Sequence, residues 1–180
     1  MDVKNKESRL LFFKYAIPCA ETLAKRGFIT QRYRKKLMKN VIFNKKIPKD
    51  TEKIFKIANI MCEKIAKKLG KKFIDKDVIR KYFLFEHDKI VDKRYKMFKD
   101  FDSLQCRLYS GKVINLKNRK IIVHTIIGNK KYKNIFIPNL KIGNFVVVHR
   151  DFIIEKINEN LAKRLWGLKE KYFKSTKSNY

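Results

Sequence analysis

The stretch Phe145-Val146-Val147-Val148-His149-Arg150-Asp151-Phe152-Ile153-Ile154-Glu155-Lys156-Ile157 decides the fold class. Valine, isoleucine and phenylalanine dominate it. Side chains branched at Cβ lose rotamer freedom in a helix and pack well on a pleated sheet, so the run reads as extended chain. By period two, Phe145, Val147 and His149 share one face. Similar runs precede it at Cys106–Ile114, Arg119–Ile127 and Lys131–Ile137. The breaks between them carry turn chemistry: Asn115-Leu116-Lys117-Asn118, Gly128-Asn129, and Pro138-Asn139 followed by Gly143-Asn144. Four or five short antiparallel strands in about fifty residues predict a compact, OB-like β-barrel.

After the last strand, Asn158 stands where a helix N-cap belongs, and Leu161, Ala162, Leu165 and Trp166 make an apolar stripe. A helix over about 158–173 is expected to close the barrel, followed by a polar tail at 174–180. Ahead of the barrel the apolar period is helical. Between Asp50 and Gly70, residues Ile54, Ile57, Ala58, Met61, Cys62, Ile65, Ala66 and Leu69 recur at three and four, with Asp50 or Thr51 as the expected cap and Gly70 as the stop. Further helices are predicted over Ser8–Lys25, interrupted near Pro18, over Gln31–Val41, and from Asp75 to about His87. The fold class is therefore α+β: a helical domain at 1–100, then a barrel with its C-terminal helix at 104–173, divided near Asp100–Ser103.

Forty-six Lys and Arg against seventeen Asp and Glu give a formal charge of +29, which favours anionic partners without choosing among them. The lysines are spread over every segment, a pattern that compositional bias also produces. With 44% apolar residues the chain can build a core. Cys19, Cys62 and Cys106 are odd in number, widely spaced and without a C-x-x-C pair, so a disulfide framework is not expected. Lys14 cuts the apolar Leu10-Leu11-Phe12-Phe13 stretch, and no run reaches the roughly 18 apolar residues of a membrane span. The expectation is a cytoplasmic protein with reduced thiols.

Two segments carry a resemblance. Cys106-Arg107-Leu108-Tyr109-Ser110-Gly111-Lys112-Val113 and Ile142–Ile157, in this order and followed by a helix, are similar to the HypC/HupF family of nickel–iron hydrogenase maturation chaperones, over about residues 104–172. The resemblance implies a non-enzymatic assembly chaperone that holds iron bearing cyanide and carbonyl ligands, together with an iron–sulfur maturation partner, and passes it to the hydrogenase large-subunit precursor. Its metal-site residues fall on Cys106 and His149, and its partner-binding positions on Gly111, Gly143, Phe145 and Phe152. A thiolate suits low-valent iron, and an imidazole can ligate it or steer from behind. This chain departs from the family pattern in placing a helical domain before Cys106, Ser110 at the family's proline, and Arg150-Asp151 after the histidine. The same barrel could instead serve purely as a docking module.

Each residue also has a structural reading. Cys106 could be a small buried hydrophobe, His149 a barrel histidine with its hydrogen bond made, and His124 part of the core or wall. The Glu86-His87-Asp88 group could do acid–base work or bind a metal, but consecutive helical side chains diverge, so it reads as a solvated helix end. There is no phosphate loop, carboxylate pair or Ser-His-Asp pattern to suggest an enzyme. The competing function is nucleic-acid binding, especially of RNA. Its candidates are Arg32, Arg34, Lys35 and Lys36 in one basic run, and Lys131 and Lys133 among barrel aromatics such as Tyr109, Tyr132, Phe136 and Phe145.

Overall fold

The computed structural model describes residues 1–97, 103–117 and 120–177, and divides into two compact units, Met1–Arg94 and Tyr95–Tyr180.

The first unit is helical: α1 (Lys6–Ala16), α2 (Ala20–Lys25), α3 (Gln31–Ile42), α4 (Lys56–Lys68), α5 (Lys76–Lys81) and the greater part of α6 (His87–Met97). Pro18 interrupts α1 and α2 as expected, within a 3-10 turn at Ile17–Cys19. Thr30 and Asp75 cap α3 and α5, their side chains accepting from the Tyr33 and Val78 amides. Gly70, at φ +65°, ends α4. The expected cap at Asp50 or Thr51 is not made. Asp50 is left-handed (φ +63°), Thr51 opens a 3-10 turn, and α4 proper begins at Lys56. The last helix runs past His87 through a π-helical turn at Tyr82–Glu86, so the Glu86-His87-Asp88 group is no solvated helix end. His87 is buried against Tyr82 and Phe83, both ring centroids at 5.9 Å. Phe12, Phe13, Phe55 and Phe83 meet edge-on, and Tyr15 stacks on Phe83 at 4.9 Å. Each fully buried ring of this kind contributes about 1.5–3 kcal/mol relative to exposure.

The second unit has a four-residue helix α7 (Ser103–Cys106), five strands, β1 (Leu108–Lys117), β2 (Lys120–Thr125), β3 (Gly128–Lys133), β4 (Phe145–His149) and β5 (Phe152–Ile157), and a long helix α8 (Glu159–Lys177). Strands pair in the cyclic order β1-β2-β3-β5-β4, closing the sheet on itself. Every pairing is antiparallel except β3 with β5, which run parallel and meet at Lys133 and Phe152 alone, so the all-antiparallel expectation is corrected. Tyr109, Val113, Ile121, Val123, Tyr132, Val146, Val148 and Ile153 fill the interior. Asn158 caps α8 as predicted, its side chain accepting from the Leu161 amide at 2.8 Å. The helix continues through Lys177, so most of the expected polar tail is helical; 178–180 lie outside the described residues.

Two turns fall elsewhere than expected. Asn115, Leu116 and Lys117 belong to β1, which absorbs a bulge between Val113 and Asn115. Between β2 and β3 the chain reverses at Ile126-Ile127, while Gly128 (φ +94°) already pairs with Thr125. Both isoleucines pack against the interior cluster, and that burial holds apolar residues in a turn whose local chemistry pointed one step on. Likewise β3 ends at Lys133, and Asn134 makes side-chain bonds with the amide and carbonyl of Ile137 where a strand was expected.

Candidate functional site

Register decides which side chains meet. Leu108 pairs with His149 across β1 and β4, Tyr109 with Val148, Ser110 with Val147, and Lys112 with Phe145. Opposed residues point to the same side. Tyr109 and Val148 are interior, so Leu108, Ser110, Lys112, Phe145, Val147 and His149 lie on the outer face. The predicted sharing of a face by Phe145, Val147 and His149 therefore holds. Ser110 Oγ donates to the Ala162 carbonyl at 2.9 Å, which sets α8 against the outer side of β1.

Cys106 ends α7 rather than heading a strand, two residues before β1 begins. Pairing of β1 with β4 brings it beside His149, forty-three residues on. The Cys106 sulfur and a His149 ring nitrogen lie within 4.8 Å of each other. His149 Nε2 is 3.1 Å from the Cys106 carbonyl oxygen. That oxygen can only accept, so in this bond Nε2 is the donor. Both residues are buried, Cys106 at 6% exposure and His149 at 0%. A soft sulfur beside an imidazole nitrogen is a donor set for iron, copper or zinc, although two donors do not complete a coordination sphere. None of Cys19, Cys62 and Cys106 is in a disulfide. Burial pushes the Cys62 thiol far up, with Glu63 adding to it, as befits a cysteine on the apolar face of α4.

The other predicted positions are scattered. Gly111 lies beneath β2, where an added Cβ would come within 2.4 Å of the His124 carbonyl oxygen, so barrel closure alone requires a glycine. Gly143 takes φ +86° in the turn before β4 and donates its amide to the Val113 carbonyl. Phe145 is half-buried with Lys112 Nζ 5.6 Å from its ring centroid. Phe152 is half-buried between Phe136, at 6.4 Å, and Lys133 Nζ, at 5.8 Å.

Of the basic candidates, Arg32, Lys35 and Lys36 are exposed on α3, while Arg34 is engaged by Gln31 at 2.8 Å and Glu21 at 3.4 Å. Lys131 and Lys133 are exposed on β3. Tyr109, Tyr132 and Phe136 cannot act as stacking surfaces, because all three are buried. His124, placed in the core or wall from sequence, is exposed on the outer face of β2. It bonds Asn129 Oδ1 through Nδ1 at 2.7 Å and leans on Trp166, its centroid 5.5 Å away and its plane inclined by 32°. Sequence reasoning missed this contact, since Trp166 was assigned only to the stripe that closes the barrel. A groove of about 370 Å3 between the β2–β3 turn and α8 is lined by Ile126, Ile127, Glu170, Phe173 and Lys174, and neither Cys106 nor His149 reaches it. No helix among the described residues is long and apolar enough to cross a membrane. Comparison with the models of known protein families and with curated proteins finds no match to this chain.

Proposed function

We propose that the second unit is a HypC-like assembly or docking module with an OB-like barrel, and that Cys106 and His149 are the donors it offers to an iron cargo. The observation that carries this reading is the approach of the Cys106 sulfur and a His149 ring nitrogen to within 4.8 Å, from positions that only the sheet brings together. A cargo iron bearing its own cyanide and carbonyl ligands needs only one or two protein donors to be held and then released, which two residues supply and a closed four-ligand site would not. Because Cys106 is 6% exposed and His149 0%, loading requires a local opening of the chain around the pair, and Cys106 itself belongs to the four-residue helix α7. Local opening of a one-turn helix lies at the low-energy end of native fluctuations. In this reading the iron–sulfur maturation partner delivers the iron and the hydrogenase large-subunit precursor receives it, and no bond of a substrate is made or broken by the chain itself.

The test is anaerobic co-expression with an iron–sulfur maturation partner, followed by infrared spectroscopy of the purified chain. Cyanide and carbonyl stretches in the wild type that are absent in Cys106→Ala and weakened or shifted in His149→Ala are expected. No bands in the wild type, with the partner shown to be loaded, would refute iron carriage.

A further inference from the structure

A different part of the barrel, away from the Cys106–His149 pair, brings aromatic, basic and polar side chains into register. Pairing places Phe145 of β4, Lys112 of β1, His124 of β2 and Asn129 of β3 directly opposite one another in one row across the sheet. The row is on the outer face, because the neighbouring positions Val113, Val123, Val146 and Val148 fill the interior. Lys112, His124 and Asn129 are exposed and Phe145 is half-buried. Trp166 of α8 is half-buried and leans on His124. One step further along the same face, Lys131 of β3 pairs with Ile122 of β2 and is also exposed.

We infer that this row binds single-stranded nucleic acid, with bases stacking on Phe145 and on the His124–Trp166 pair and phosphate held by Lys112 between them. Adjacent strands lie about 4.8 Å apart, so Phe145 and His124 are about 10 Å apart with the lysine midway. Aromatic, cation, aromatic is the alternation that a chain of bases joined by phosphates demands. A duplex has no base faces to offer such a row, which selects unpaired strands. Charge favours the same ligand. Glu159, close enough to Lys112 to feel its charge, is engaged by Lys163 at 2.8 Å, and Glu170 accepts from the Trp166 indole N–H at 2.9 Å, while the chain as a whole carries +29.

Trp166 is the only tryptophan in the chain, so its emission reports on this row alone. The experiment titrates the full chain with a mixed-sequence RNA of about 12 nucleotides, its DNA equivalent and the matching duplexes, following Trp166 emission and the anisotropy of a label on the oligonucleotide. Saturable quenching by the single strands is expected, with an affinity that falls steeply as salt rises. His124→Ala and Phe145→Ala should each weaken binding at least about fivefold, and Lys112→Glu should also lower the salt slope by about one. Phe145→Leu keeps the apolar packing and loses the ring face, so it separates stacking from folding, with circular dichroism as the check. The inference is overturned if the duplexes or an acidic protein bind as tightly as the single strands. Binding without quenching, or well-folded variants that bind like the wild type, would overturn it too.

Discussion

At the scale of single residues, Asp75 shows how one carboxylate serves a helix. Burial raises its pKa, but hydrogen bonds from Lys71 Nζ at 2.6 Å and the Val78 amide at 3.0 Å outweigh that and hold it below the ordinary aspartate value. A group whose folded pKa is depressed contributes stability that is complete above its unfolded pKa, about 4, and is lost as pH falls through the folded value. Asp75→Ala is therefore expected to lower stability by about 1 kcal/mol at pH 7, with the gap to wild type closing in acid. Asp75→Asn should keep most of the cap and lose the pH dependence. Urea unfolding midpoints at neutral and acid pH check both, and an equal cost at both pH values would contradict the account. Asp75 was legible as a helix start because a cap is a local motif. Asp50 offered the same side chain, and there a left-handed backbone decided otherwise.

At the scale of elements, two glycines predict opposite outcomes for one substitution. Gly111 of β1 faces backbone, since a Cβ would stand 2.4 Å from the His124 carbonyl oxygen and 2.6 Å from Val123 Cγ1. The strands cannot part there without breaking their hydrogen bonds, so Gly111→Ala should cost about 1–3 kcal/mol or more. It should also weaken the near-ultraviolet signal of the interior tyrosines. Gly167 sits inside α8 with nothing within 4 Å of an added Cβ, and Gly167→Ala should stabilise by about 0.5–1 kcal/mol through helix propensity. Thermal melts of both variants test the sign as well as the size. The existence of these elements could be read from apolar period, but their ends could not. Ile126-Ile127 forms the β2–β3 turn because both side chains find apolar contacts on the interior cluster, an energy that no dipeptide preference contains.

At the scale of the whole molecule, a charge of +29 on 180 residues sets a self-repulsion that exposed ion pairs such as Lys53–Asp50 and Lys163–Glu159 do little to offset. Salt shortens the range of that repulsion, to about 10 Å at 0.1 M. The midpoint of thermal unfolding should therefore rise as sodium chloride is raised from about 0.01 to about 0.5 M. A midpoint that falls would mean that attractive pairs outweigh the like-charge field. The same composition makes low-salt binding to any polyanion uninformative, which is why the nucleic-acid test relies on stacking variants and on Trp166 emission.

The order of a helical half and a stranded half was determined by the sequence itself, as were the helix break at Pro18, the helix start at Asp75, the cap at Asn158 and the stop at Gly70. Each of these depends on residues within a few positions of one another, where backbone sterics and side-chain hydrogen bonds act directly. Cys106 and His149 were nameable as candidates from their motifs. Their approach, the parallel closure of β3 on β5, and the row that joins Phe145, Lys112, His124 and Asn129 were decided only in the tertiary structure. Strand register is set by which faces find burial across the sheet, and a slip of one residue would have turned each of these side chains to the other side.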